Sequence, residues 1–160
     1  MVALISDTHG NVQATARALE LLDKASPDRF IHLGDIGNAA VVTLFGDRQS
    51  DFLWGNNDTN RDELLAAVKR VGAEMHSTLE LQGRGGATLL AHGHTTAIRD
   101  GLRSRRYSAV IFGHSHERMN ELRDGVRFIN PGALYRARDY SCALFDPDTL
   151  EVTFVMVPKE

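Results

Sequence analysis

The first half of the chain alternates short continuous apolar runs with amphipathic stretches, the pattern of strands buried on both faces and the helices that cover them. Val2–Ser6 is such a run. Asn11 can cap a helix reaching about Lys24, with Val12, Ala16, Leu19 and Leu22 along one side. Pro27 and Asp28 close the connection, and Phe30–Leu33 reads as a second strand. A short helix over Ala39–Phe45 leads to a strand over Asp51–Trp54, and a helix over Arg61–Val71 turns Leu64, Leu65, Val68 and Val71 inward. Three strand–helix units with short connections predict a largely parallel sheet with right-handed crossovers.

The second half changes character. Glu74–Gln82, Ala87–His92, Ala109–Gly113, Glu117–Arg123, Val126–Asn130, Ser141–Asp146 and Glu151–Val157 read as strands, and only Thr95–Arg106 reads as a helix. Asp124-Gly125 and Pro147-Asp148 are turn dipeptides of the hairpin type. With no composition break, repeat or low-complexity linker, residues 1–160 are expected to form one α/β domain of two packed sheets with helices outside.

Composition narrows the function classes. A net charge of -3 gives no footprint for bulk nucleic-acid binding. The one cysteine, Cys142, excludes an internal disulfide and fits a reducing compartment. The opening MVALISDTHG has no basic region and a short apolar run, so neither a signal peptide nor a membrane span is predicted. The expectation is a soluble cytoplasmic protein.

Metal-ligand side chains gather at the ends of the predicted strands: Asp7-Thr8-His9, Gly34-Asp35, Gly55-Asn56-Asn57-Asp58, His92-Gly93-His94 and Gly113-His114-Ser115-His116. Five of the seven histidines lie in these stretches, for which a packed core has no use. Asp7 and His9, like His114 and His116, are two apart at a strand end, where both side chains point to one side. On a helix the same spacing would splay them. Glycines at 10, 34, 55, 93 and 113 let the backbone turn where several loops must approach one place. Ligands of open α/β sheets bind beyond the carboxyl ends of the strands, where all these residues fall. Carboxylates, imidazoles and one amide together suit manganese, iron, zinc, cobalt or nickel and disfavour a site for magnesium or calcium alone.

The order D-x-H, G-D, G-N-x-D, H-G-H, G-H-x-H resembles the calcineurin-like metallophosphoesterase superfamily, and the SDTHGN opening and late Asn130-Pro131-Gly132 resemble its small bacterial and archaeal phosphodiesterase branch. The match runs from residue 5 to residue 133. The resemblance implies a four-layer α/β/β/α sandwich with two divalent metal ions, manganese foremost, at the strand ends. Carried over by motif, Asp7, His9 and His116 would bind one ion, Asn56, His92 and His114 the other, and Asp35 would bridge them. The implied mechanism is in-line attack of a metal-bridging hydroxide on the phosphorus of a small phosphodiester. Asp35, Asn56, Asn57, Asp58 and His94 are then the residues expected around the reacting group. Many members of the superfamily have G-N-H-E or G-N-H-D, with a histidine that contacts the phosphate. Here that position is Asn57, which donates a hydrogen bond but transfers no proton.

Plainer readings apply elsewhere. His94 either orients a ligand or fills its loop, and Asp58 either supports His9 and its own loop or starts the following helix. His32 and His76 read as structural, Trp54 and Cys142 as core, and Asn130-Pro131-Gly132 as a tight turn beside the site. The arginines at 99, 103, 105 and 106 read as a solvated helix face before a phosphate grip. Two other functions share the fold: a phosphomonoesterase using the same site, and a non-catalytic scaffold like the trafficking-coat subunit of this fold with an impaired metal site. The complete ligand set argues against the scaffold; Asn57 and the lack of a capping insertion argue against the monoesterase. Exposed edge strands would permit a homodimer.

Overall fold

Alternation within single strands sets the layers. In the computed structural model, which describes residues 1–159, every residue of strand β1 (Val2–Ile5) is buried, with Ala3 and Ile5 facing helices and Val2 and Leu4 facing a second sheet. Strands β2 (Arg29–His32), β3 (Ser50–Leu53) and β4 (Glu74–His76) follow in parallel, each on the far side of the one before. Strands β10 (Tyr140–Phe145) and β11 (Val152–Val157) add antiparallel to the other edge of β1, giving the order β11-β10-β1-β2-β3-β4. Helices α1 (Val12–Asp23), α2 (Ala39–Thr43) and α3 (Arg61–Arg70) cover its outer face.

The second sheet has the order β5-β6-β7-β9-β8, from β5 (Thr78–Gly83), β6 (Gly86–Ala91), β7 (Tyr107–Phe112), β8 (Met119–Arg123) and β9 (Val126–Asn130). Its central pairs β6–β7 and β7–β9 are parallel and its edge pairs antiparallel. Leu81, Leu90, Ile111 and Ile129 interlock with Leu4, Ile31, Leu33, Leu53 and Phe145 between the sheets. Helix α4 (Ala97–Arg103) lies on β6 and β7 and buries none of its residues, so the fourth layer is thin. No helix among the described residues is long and apolar enough to cross a membrane.

The fold is α/β with two mixed sheets and flanking helices, as expected. Several elements differ from the sequence reading. Glu74–Gln82 is two strands, because the chain leaves the edge of the first sheet after His76 and enters the second at Thr78. Helix α1 buries Ala14, Thr15, Ala18, Leu19 and Leu22, leaving Val12 exposed. Helix α3 buries Leu64, Ala67 and Val68 and exposes Leu65, since the inward stripe follows 64, 67 and 68. The helix expected over Thr95–Arg106 spans seven residues, and its arginines face out: Arg99 pairs with Asp100 and Arg106 with Glu80. Asp124-Gly125 does form a two-residue hairpin with both φ positive.

Phe52 stacks on His32 and meets Phe45 edge-on at 4.8 Å in the helix-side core. Phe52→Ala is expected to cost about 3–5 kcal/mol, read as a lower urea midpoint at unchanged slope. Burial pushes the Cys142 thiol up to about 12. A disulfide reagent at pH 8 should therefore label the native protein only as fast as it opens, and at once in denaturant.

Candidate metal centre

The register places the site. Ile5 pairs with His32 and His32 with Phe52, so the loops carrying Asp7, Asp35 and Asn56 leave the first sheet at one level. Ala91 pairs with Phe112, which brings His92 and the 113–116 loop out together. The two sheets end at the same edge, where His92 Nδ1 lies 2.8 Å from the carbonyl oxygen of Leu33. A carbonyl only accepts, so Nδ1 carries the proton and Nε2 has a lone pair. That lone pair faces Asn56 Oδ1 at 3.1 Å and Asp35 Oδ2 at 3.4 Å.

Two groups of nitrogen and oxygen donors converge: Asp7, His9 and His116 in one, Asp35, His92 and His114 in the other. Asp35 Oδ2 is 3.4 Å from His9 Nε2 and equally far from His92 Nε2, so it touches one member of each. His9 Nε2 and His116 Nε2 are 3.3 Å apart, and His116 Nε2 is 3.3 Å from Asp7 Oδ1. Asp7 is fully buried, yet its Oδ1 has no hydrogen-bond partner, while Oδ2 accepts from Ser6 Oγ and His114 N. Unspent lone pairs on buried oxygen and on facing imidazoles are costly unless a cation sits among them. The donor set fits divalent metal ions.

Electrostatics agree. Burial opposes a charge on Asp35, but a His92 ring protonated at Nε2 and the two hydrogen bonds from Asn57 favour the carboxylate and hold its carboxyl well below the usual range. Burial likewise opposes protonation of His92, yet the Asp35 hydrogen bond and the charge of Asp7 raise its pKa. At His9 burial outweighs the Asp35 and Asp7 charges and lowers the pKa, which favours the neutral imidazole with a free lone pair.

Backbone geometry carries much of the design. Asp7, His9, Asp35, His114 and His116 all have φ between 44 and 69°, a left-handed conformation that residues with a Cβ rarely adopt. Asp58 holds two of these loops. Its carboxylate accepts from the N–H groups of Asp35, Ile36 and Gly37 on one loop and Gly55 on the other, at 2.8–3.2 Å. Of the expected roles Asp58 has the support of its own loop, through Gly55, and adds the 35–37 loop; its hydrogen bonds do not go to His9, and the cap position of α3 is Asn60. A Cβ on Gly55 would fall 2.1 Å from Asp35 N and Oδ1, and one on Gly113 1.9 Å from Ser6 Oγ. Both turns require glycine.

Asn57 takes an unexpected place. Its backbone N–H donates to Asp35 Oδ1 at 2.8 Å and its side-chain amide to Oδ2 at 2.7 Å, so it clamps the carboxylate between the two groups. His94 is exposed at the mouth, its ring 5.3 Å from that of His92. Asn130 donates to the Gly113 carbonyl and Ser115 Oγ and so braces the 113–116 loop.

His32 is structural but close to the site. Burial lowers its pKa to about 3, and the neutral ring accepts from Gly34 N and donates to Thr8 Oγ1, which donates to the Ile36 carbonyl. Sequence reasoning missed Ser6, which only its place beside Asp7 could have signalled. It also missed Tyr135, whose ring lies 5.0 Å from that of His9 and which has no signal of its own. Asp51, Glu74 and His76 also cluster, but Asp51 is spent on Arg29 at 2.6 Å and His76 at 2.9 Å.

The family model for the calcineurin-like phosphoesterase superfamily domain matches residues 1–149. A phosphodiesterase of Methanocaldococcus jannaschii is 29% identical over 136 residues, covering 82% of each chain. A probable metallophosphoesterase of Mycoplasma genitalium is 31% identical over 151 residues, covering 86% of this chain and 79% of that protein. Among solved structures, an archaeal phosphodiesterase superposes with a TM-score of 0.86 at 25% identity, over 97% of this chain and 98% of that one. The chain belongs to the calcineurin-like phosphoesterase superfamily.

Proposed function

We propose that this protein is a cytoplasmic hydrolase of small phosphodiesters, using two divalent metal ions. Asp7, His9 and His116 would hold one ion and Asn56, His92 and His114 the other, with Asp35 shared. The observation that carries the reading is the unpartnered, fully buried Oδ1 of Asp7 facing imidazole nitrogens, together with the Asp35 carboxylate that touches both groups. Manganese is our first choice among the ions this donor set suits; nickel, iron, zinc and cobalt share its preference for mixed nitrogen and oxygen. Bound there, divalent ions would lower the pKa of coordinated water and offset charge developing on the phosphate oxygens.

The chain's own residues do the rest. Asn57 fixes both oxygens of Asp35, so the shared carboxylate cannot rotate between the groups. Asp58 and the Thr8–His32 pair hold the loops in their left-handed turns. His94 stands at the mouth, where its ring N–H can donate to a substrate oxygen. With an amide at position 57, that position supplies no proton to the leaving oxygen. Diesters whose leaving groups are already acidic are therefore the favoured substrates. The diesterase names of the relatives from M. jannaschii and the archaeal structure support the same side.

The test compares bis(p-nitrophenyl) phosphate with p-nitrophenyl phosphate on metal-stripped protein reloaded with manganese, nickel, zinc or magnesium. Diester cleavage should need a transition metal, exceed monoester cleavage and vanish in Asp35→Ala. Two bound metals with no turnover of either compound would refute the proposal. Asn57→His should raise monoester relative to diester turnover while lowering absolute diester turnover about 10–100-fold, because the side-chain half of the clamp on Asp35 is lost. An unchanged ratio would mean that leaving-group selection lies elsewhere.

A further inference from the structure

A cleft of about 400 Å³ opens beside His116, between the 113–116 loop and the 131–139 loop. Arg118, Arg136 and Arg138 line it, with Glu117 and Asp139. The cations are unevenly used. Arg118 leans on Met156 and lies 3.8 Å from Asp139. Arg136 rests over the Tyr135 ring at 5.1 Å, and that ring stands against His9. Neither Arg136 nor Arg138 makes an ion pair or a side-chain hydrogen bond among the described residues. Arg136 also sits at a φ of 46°, a strained conformation of the kind stored at ligand clamps. Ser115 adds a donor: its Oγ accepts from Asn130 Nδ2 and Glu117 N, which leaves its proton unspent.

We infer that this cleft takes a second phosphate group, so that the natural substrate is a phosphodiester carrying a further phosphate beside the scissile one. The inference rests on the phosphodiesterase reading and deepens it. A plain diester brings one negative charge, which the metal groups would meet; it leaves Arg136 and Arg138 without a partner of their own. Guanidinium groups match phosphate in planar, two-pronged contacts, and two unpaired ones in the same cleft as a hydroxyl donor suit a dianion. Glu117 and Asp139 temper the field without cancelling it, since three cations face two anions. That balance favours a compact phosphate over a long polyanion, in keeping with a chain of net charge -3.

The experiment uses the manganese-loaded protein and a matched pair of probes: the p-nitrophenyl ester of thymidine 5′-phosphate, and the same ester bearing a 3′-phosphate. Both release p-nitrophenolate from one kind of diester, so their ratio of kcat/KM reads the second phosphate alone. We expect the 3′-phosphorylated probe to be preferred by about tenfold or more, the size of one charge-assisted contact. The ratio should fall towards one in the Arg136→Gln, Arg138→Gln double variant and with rising salt, and Arg138→Lys should keep part of it. Calorimetry should show thymidine 3′,5′-bisphosphate binding more tightly than thymidine 5′-phosphate, with the difference lost in the double variant. A wild-type ratio near one, or a preference that survives the double variant, overturns the inference while brisk hydrolysis of the plain probe leaves the diesterase standing. No hydrolysis of either probe, together with none of bis(p-nitrophenyl) phosphate, overturns both.

Discussion

The hydrogen bond from His92 Nδ1 to the Leu33 carbonyl crosses from one sheet to the other, and the site is assembled around it. Leu33 is itself part of the apolar layer between the sheets, so the bond is anchored in packing on both sides. It selects the tautomer of His92, turns Nε2 towards Asn56 and Asp35, and fixes the height at which the second sheet's loops meet those of the first. A slip of one residue in either sheet would exchange inward and outward side chains and remove Leu33 from its layer. The interlocking of Leu4, Ile31, Leu53, Leu90 and Ile111 prevents that slip.

Above this frame the loops are held against their own preference. Five residues of the two donor groups occupy the left-handed region, at a cost on the order of 1–3 kcal/mol each. Asp58 offsets part of that through four backbone contacts, and Ser6, Asn57 and the Thr8–His32 pair contribute more. None of these groups belongs to the convergent donors, yet without them the donors would not converge. Charge within the site works the other way: Asp7 and Asp35 lie close together, and in an apolar surrounding they are tolerable only beside positive charge.

The sequence made strands such as β1 and β7 legible because they carry continuous apolar runs, and the donor motifs after them legible because each follows such a run directly. The break between β4 and β5 was hidden, since Met75, Leu79 and Leu81 keep one alternating phase across the polar His76-Ser77-Thr78, where the chain changes sheets. The inward faces of α1 and α3 were partly misread where small residues do the packing: Ala14 and Ala67 are buried and the larger Val12 and Leu65 are not. The hold of Asp58 on the 35–37 loop, beyond its own, could not be read, because its partners there are backbone N–H groups with no side-chain signature. Tyr135, Arg136 and Arg138 sit in an irregular loop, where no periodicity marks which side chains approach the site.

Strand β1 lies in the middle of its sheet, with β2 on one side and β10 on the other, and the register joins Val2–Leu4 to Ala143–Phe145. During synthesis from the N-terminus, one flank of the first strand stays without a neighbour until residues 143–145 have left the ribosome. An apolar strand with an open flank is a template for pairing with another chain. The nascent chain thus carries a fully buried strand unprotected until β10 is made, a vulnerability written into the topology and absent from the finished fold.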